Sequence, residues 1–399
     1  MHDLTPLPTD VPRMIVGVTS AQTCLILTDR LRALRVAGFR VIVVSAPGEL
    51  LDRTAAAAGV EAVAIPMRRS MAPWADLLAL LNLCGLLLRV RPVLVEFSTP
   101  KAGLLGMVAA WLCWVPHRVY LLRGLKLEST FGWKRRVLMT AERLASACAQ
   151  VVLCNSESLR CEALALRLVP PGKLRVLGGG SSNGVDMDVF CPGPSSVRGH
   201  LGIPVGAPVI GFVGRLTRDK GVPELAKAFD RILAVEPEAY LLLVGWFDES
   251  EDALPGELRV YLQHHPRIRM TGLVAETADY YRAMDLFVLP TWREGFPNVV
   301  LEAAATELPV VTTESTGSRD SVVPEVTGLL IPPGYPEAIV ESVLLLLRDP
   351  TRRQRMGRAA RAWVLERYSG REVLGRTAEF YKSLVKSSEK MEEEGAPVV

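Results

Sequence analysis

Pro208-Val209-Ile210-Gly211-Phe212-Val213-Gly214-Arg215-Leu216-Thr217-Arg218-Asp219-Lys220-Gly221 is an apolar run ending in a glycine-bounded basic loop, and Val222 to Leu233 follows with helical spacing. A strand, a phosphate-type loop and a helix therefore stand in order. Ligands of an open α/β sheet gather outside the carboxyl ends of its strands, so Arg215 and Lys220 sit where two cations can neutralise a diphosphate. The alternation continues in both directions. Before this point strands are predicted at Met14 to Val18, Arg40 to Ser45, Val60 to Ile65, Val93 to Phe97, Arg118 to Leu122, Gln150 to Asn155 and Leu174 to Leu177. Beyond Val209 to Val213 they are predicted at Tyr240 to Val244, Ile268 to Thr271, Leu286 to Leu289, Val310 to Thr312 and Leu329 to Ile331. Helices fill the gaps, which predicts parallel sheets with right-handed crossovers.

A second stretch, Arg293-Glu294-Gly295-Phe296-Pro297-Asn298-Val299-Val300-Leu301-Glu302-Ala303, puts two carboxylates eight residues apart across a loop-to-helix junction. Asp285 to Pro290 reads as a short buried strand running into the loop, and the sequence from Asn298 onward is helix-forming. Glu294 then precedes the helix and Glu302 lies inside it. Gly295 and Pro297 turn the backbone, and the first amides of the helix lack intrahelical partners, which makes them ready for an anion. Carboxylates only accept hydrogen bonds, so one can meet a hexose and the other a ribose diol. From spacing alone, a solvated Glu pair on an amphipathic helix is the alternative reading, since Glu is mostly exposed.

At 399 residues the chain suggests two or three domains, and 49% hydrophobic with 22% charged residues can build sizeable cores. Seven scattered cysteines without a CxxC and five histidines without ligand spacing support neither a disulfide framework nor a metal site. A net charge of +3 argues against a nucleic-acid partner but hides an asymmetry. Residues 1–200 carry 23 Lys and Arg against 14 Asp and Glu, and the remainder 23 against 29. Arg68, Arg69, Arg89, Arg91, Lys126, Lys134, Arg135 and Arg136 lie near Leu77 to Leu88 and Ala102 to Pro116, two charge-free segments. Each is shorter than the ~20 residues a spanning helix needs. They read as buried core helices or, given Trp74, Trp111, Trp114 and Trp133, as interfacial helices touching anionic lipid.

Met1 to Arg13 has no basic-then-apolar segment, so no export signal is expected. Gly178 to Asp186 with Pro192 and Pro194 is turn-rich and predicts a linker at about 178–200. The expected organisation is a first domain at 1–190, a second at 201–368, a helix at 369–385 packing back on the first, and a flexible Ser-, Lys- and Glu-rich tail at 386–399. Asp186-Met187-Asp188 has the DxD spacing that holds a metal on nucleotide diphosphates elsewhere, but it follows an Asn-Gly turn and is assigned to the linker.

On these residues the C-terminal half resembles the nucleotide-binding domain of the retaining glycosyltransferases of family 4. The likeness runs from Gly211 through the Glu294 to Glu302 pair to Gly317, Asp320, Val326 to Pro332 and the helix start Pro336-Glu337-Ala338-Ile339. It implies the α/β GT-B fold, two Rossmann-like domains with parallel sheets facing a central cleft. It also implies that Gly214, Arg215 and Lys220 hold the donor diphosphate, that Glu294 with Gly295, Phe296, Pro297, Asn298 and Val299 faces the donor sugar, and that Glu302 binds the ribose.

The amino half departs from the family pattern. Thr19-Ser20-Ala21-Gln22-Thr23 stands where many members have a glycine pair, and Leu122-Arg123-Gly124 where many have a His before a Gly. A guanidinium is no base, so Arg123 is expected to bind an anion or hydroxyls. The Ser98 to Gly103 and Arg123 to Glu128 stretches resemble members that extend lipid-linked bacterial surface saccharides. That implies an acceptor side of Ser20, Lys101, Arg123 and Lys126, the cations meeting a polyprenyl diphosphate, and a catalytic set of Glu294, Arg215, Lys220 and Arg123.

The activity implied is transfer of a hexosyl group, with retention and without metal or cofactor, from a UDP-linked donor to a saccharide in capsule or O-antigen synthesis. The place implied is the cytoplasmic face of the plasma membrane, with peripheral attachment. A sugar-nucleotide epimerase of the same fold and an inactive membrane-peripheral assembly protein stay open as alternatives. The first calls for extra acids and histidines in the cleft, of which the chain has few to offer; the intact Arg215, Lys220, Glu294 and Glu302 argue against the second.

Overall fold

A computed structural model describes residues 11–68, 70–249 and 251–393, with side chains to residue 387. Most of the Met1 to Arg13 segment, Arg69 and the last part of the expected tail lie outside the described residues. The described chain has thirteen strands, each within one residue of its expected ends. It divides into two compact units, one running through Asn183 and resuming at Glu372, the other Gly184–Arg371. The division falls at Asn183, ahead of the boundary expected at 190.

The first unit holds β1 (Arg13–Gly17), β2 (Arg40–Ser45), β3 (Glu61–Ala64), β4 (Leu94–Ser98), β5 (His117–Leu122), β6 (Val151–Cys154) and β7 (Leu174–Val176). They form one parallel sheet in the order β3-β2-β1-β4-β5-β6-β7. The second holds β8 (Val209–Val213), β9 (Tyr240–Val244), β10 (Ile268–Met270), β11 (Leu286–Leu289), β12 (Val310–Thr313) and β13 (Gly328–Ile331), parallel in the order β10-β9-β8-β11-β12-β13. Strands covered on both faces read as near-continuous apolar runs, as β8 and β9 do throughout. Strand order reverses between β1 and β4 and between β8 and β11, and at such switch points the loops splay apart and leave room for a ligand.

Apolar cores lie on both faces of the first sheet. One is closed by the Pro73–Val90, Pro100–Leu112 and Gly132–Cys148 helices, the other by Thr28–Val36, Glu49–Ala58 and the Gly370–Glu393 helix. The last of these runs to Glu393, so the first part of the expected tail is helical instead, as the high helix propensity of its Lys and Glu residues favours. Tyr381 from this helix is fully buried in the first unit. It donates to Glu96, which sits wholly buried in the middle of β4 and also meets the buried Arg30 at 2.6 Å. Burial alone would raise the Glu96 carboxyl; Arg30 and the Tyr381 hydroxyl outweigh that and hold it below the usual range.

The core-helix expectation fits Pro100–Leu112, which buries seven of its residues, but only one side of Pro73–Val90, which buries four.

Candidate functional site

In the second unit β8 and β11 are direct neighbours, paired at Leu286 with Ile210 and Phe287 with Gly211. The loops that follow them are therefore side by side at the switch point. Asp219 fastens one to the other: its carbonyl accepts from the Trp292 amide at 2.9 Å and from Thr291 Oγ1 at 3.1 Å. Its carboxylate accepts from Thr217 Oγ1 at 2.6 Å and faces Arg293 at 3.0 Å and Arg215 at 3.8 Å. Burial would raise Asp219, but Lys220, the Thr217 hydroxyl, Arg293 and Arg215 together hold it below the ordinary value.

Glycine closes the same corner. Gly221 has φ +72°, and a Cβ there would come within 1.9 Å of the Pro290 carbonyl oxygen, so no side chain fits where the Val222–Leu233 helix begins beneath the β11 loop. Gly317, at φ +76°, likewise lets its chain approach the backbone of Glu294 and Gly295.

The expected donor residues come together, and each charged one has an internal partner. Lys220 pairs with Glu294, both largely shielded from solvent, and Arg215 reaches Asp248 at 3.1 Å. The Asn298–Ala305 helix starts directly after Pro297 without a side-chain cap. Gly295, Phe296 and Pro297 are buried, Val299 and Asn298 half-buried. Glu302, one turn in, accepts from the Tyr281 hydroxyl at 2.8 Å. Burial pushes its carboxyl up to about 7, against the pull of that hydrogen bond. Gly214 follows β8 at φ +148°, and its carbonyl lies where a Cβ on Gly245 would be, at 1.8 Å. Beside it a cleft of about 800 Å³ is lined by Gly245 to Phe247 and by most of the Leu262 to Gly272 stretch along β10.

In the first unit Arg123 leaves the end of β5 and donates to Ser98 Oγ at 3.2 Å and Ser182 Oγ at 3.0 Å. Its Nη2 is enclosed and has no partner among the described residues. Burial and the nearby Arg30 lower its pKa to about 10, with Glu96 and Tyr381 pulling the other way. Two guanidinium groups thus share one carboxylate, a buried surplus of positive charge. Ser20 precedes the short Ala21–Cys24 helix, with Thr19 and Thr99 joined at 2.7 Å beside it. Lys101 does not stand open to a ligand: Asp76 holds it at 2.7 Å, with the Ser70 carbonyl adding a third acceptor. Lys126 opens a short 3-10 turn at Lys126–Ser129. Asp186 of the DxD triplet accepts from the amides of Asp188 at 3.0 Å and Val189 at 3.3 Å, a turn cap.

Residues 207–349 match the family model for glycosyl transferases group 1, and residues 27–180 that for the glycosyl transferase 4-like domain. The capsular polysaccharide biosynthesis glycosyltransferase CapM of Staphylococcus aureus is 34% identical across 93% of this chain and 97% of its own. The chain belongs to the family 4 glycosyltransferases. The UDP-Gal:alpha-D-GlcNAc-diphosphoundecaprenol alpha-1,3-galactosyltransferase of Escherichia coli is 29% identical across 64% of this chain and 66% of its own. Among solved structures, Anabaena Alr3699/HepE in complex with UDP-glucose superposes with TM-score 0.78 at 20% identity, covering 93% of this chain and all of that one. The two parallel-sheet units are thus the two halves of a GT-B glycosyltransferase, of the type that builds bacterial surface polysaccharide.

Several residues that shape this candidate site carried no signal in the sequence. Asp219, Asp248, Arg293 and Tyr281 are ordinary loop or helix residues in the chain, and their partners come from other elements. Glu96 did leave a signal. It is the lone carboxylate in the apolar run Val93 to Phe97, and a charge inside a central strand demands a buried partner.

Proposed function

We propose that this glycosyltransferase moves a hexosyl group from a UDP-sugar, with retention and without a metal ion, to a saccharide carried on a polyprenyl diphosphate. The observation that carries the reading is the Arg215, Lys220 and Glu294 cluster at the carboxyl ends of β8 and β11, where cations are held beside an uncapped helix start. Likeness to an enzyme named for UDP-Gal and a diphosphoundecaprenol acceptor, and to one bound to UDP-glucose, supports the donor and acceptor chosen.

When the donor arrives, its diphosphate replaces Glu294 as the partner of Lys220, and Glu294 turns to the sugar hydroxyls. Arg215 is already extended by Asp248, so it meets the phosphates with little further ordering. As the glycosidic bond breaks, negative charge gathers on the leaving diphosphate, where Arg215, Lys220 and the first amides of the Asn298–Ala305 helix stabilise it. The diphosphate oxygen takes the acceptor proton on the same face, so no side-chain base is needed. Gly245 to Phe247 and Thr271 to Gly272 offer the cleft for the nucleotide base. In the first unit the surplus charge at Arg123 suits the acceptor's own diphosphate.

Glu302 makes the donor step pH-dependent. A carboxyl near 7 must lose its proton to accept from both ribose hydroxyls, so affinity is full above that value and falls as pH drops below it. Between pH 8 and pH 6 the UDP-sugar affinity should fall about ten-fold. The free protein runs the other way, since a raised carboxyl costs stability as pH climbs from the unfolded value of about 4.3 toward 7. Glu302→Gln should flatten the affinity profile, and Glu302→Ala should weaken binding by about 1 to 3 kcal/mol. Calorimetry across pH with the UDP-sugar checks both, because a diphosphate esterified at each end has no proton of its own to lose there. A flat wild-type profile would take Glu302 out of the ribose role.

A further inference from the structure

The Pro73–Val90 helix is apolar on two sides and packed on one. Ala79, Leu83, Leu86 and Leu87 are buried in the first unit's core, whereas Trp74, Leu77, Leu78, Leu81 and Leu88, at i, i+3, i+4, i+7 and i+14, form a stripe facing outward. Trp74 is 82% exposed and Leu78 63%. The Pro100–Leu112 helix packs between this helix and Gly132–Cys148, and the latter opens with Phe131 and Trp133, 83% and 64% exposed. Lys134, Arg135 and Arg136 follow directly, and among the described residues neither Lys134 nor Arg136 meets a carboxylate. Exposed large apolar side chains gathered on neighbouring helices of a folded chain mark an interaction face.

Three occupants compete for that face. A spanning helix is excluded by the packed inner side, which closes the sheet core, and by Asp76 in its first turn, which is tied to Lys101. A second copy meeting itself across a two-fold axis would bury two sets of Lys134, Arg135 and Arg136 in one interface with no carboxylate of the patch to offset them. A bilayer with anionic headgroups suits both halves of the patch. Indole and phenyl rings favour the headgroup level, leucines the acyl boundary just below, and cations the lipid phosphates. The helices also begin at the carboxyl edge of the sheet, the edge that carries Ser98 and Arg123.

We propose that the outward stripe of Pro73–Val90, together with Phe131, Trp133 and Lys134 to Arg136, docks on an anionic bilayer and inserts its rings and leucines at the headgroup boundary. This deepens the lipid-linked acceptor reading and rests on it. It differs from simple charge attraction, because the apolar share survives salt while the cationic share is screened.

The test is flotation of the full chain with vesicles of phosphatidylcholine alone or mixed with phosphatidylglycerol, at low and high salt. The wild type is expected to float with the anionic vesicles and to be released only in part by salt. Trp74→Glu with Leu78→Glu and Leu81→Glu should abolish the salt-resistant fraction, while keeping UDP-sugar binding and the wild-type melting profile. Lys134→Ala, Arg135→Ala and Arg136→Ala should each lower partitioning to anionic vesicles about five-fold. Complete release of the wild type by salt, or no flotation at all, overturns the proposal. So does a wild-type dimer that the Trp74, Leu78 and Leu81 variant turns into a monomer, since the face then binds protein. Flotation as expected with no transfer to any polyprenyl-diphosphate saccharide would sink the acceptor reading and leave the docking face standing.

Discussion

Arg215→Ala and Lys220→Ala are each expected to lower kcat on the order of 10²- to 10³-fold, because each removes a cation whose attraction for the diphosphate strengthens as further charge gathers there on departure. Ground-state UDP-sugar affinity should change far less. Lys220→Ala carries a second consequence, since it strips Glu294 of the partner it holds in the free protein. The donor sugar should then be misplaced as well, and Lys220→Arg should recover part of the loss by restoring charge without the same reach. Steady-state kinetics beside thermal melts separate catalysis from folding. EDTA should leave wild-type turnover unchanged. Activity that vanishes with chelator and returns with Mn²⁺ would overturn the metal-free scheme and bring Asp186 and Asp188 back as ligands, despite the turn that Asp186 caps.

The largest effect on stability is expected at Arg30. Arg30→Ala leaves Glu96 wholly buried, with the Tyr381 hydroxyl as its remaining donor and Arg123 as the nearby charge, which should cost about 3 to 5 kcal/mol. Arg30→Met combined with Glu96→Leu should recover part of that, because it removes both charges of the pair, although Arg123 then loses its nearby carboxylate. Glu96 sits below its ordinary carboxyl value, so its stabilisation is complete above the unfolded value of about 4.3 and is lost as pH falls through the folded one. Urea titrations of the wild type and both variants at pH 7 and pH 4 measure both effects, with the double variant cancelling the opposite trend of Glu302. A pH dependence of stability that is the same in the wild type and the double variant, or an Arg30→Ala protein as stable as wild type, would show that the buried pair does not hold the Gly370–Glu393 helix to the first unit.

Much of the candidate donor side's local structure was legible in the chain because it is local. Gly214 to Gly221 and Glu294 to Glu302 each combine a strand end, a turn and a helix start within about a dozen residues, and backbone rules act over that distance. Their juxtaposition was not local. It follows from β8 pairing with β11 across two intervening strands of sequence, which strand propensity does not encode. The same limit explains Lys101, whose Asp76 partner lies on the preceding helix, and the Pro73–Val90 helix, whose composition says apolar but not which side is covered.

The amino-acid sequence by itself determined the alternation of strands and helices, the two parallel sheets, and the residue types able to meet a diphosphate and sugar hydroxyls, since periodicity and turn chemistry are properties of neighbours along the chain. Only the tertiary structure decided which charge meets which. Lys220 with Glu294, Arg215 with Asp248, Glu96 with Arg30 and Tyr381, and the lift of Glu302 toward 7 all depend on burial and on groups from other elements, and desolvation is fixed only when those elements pack.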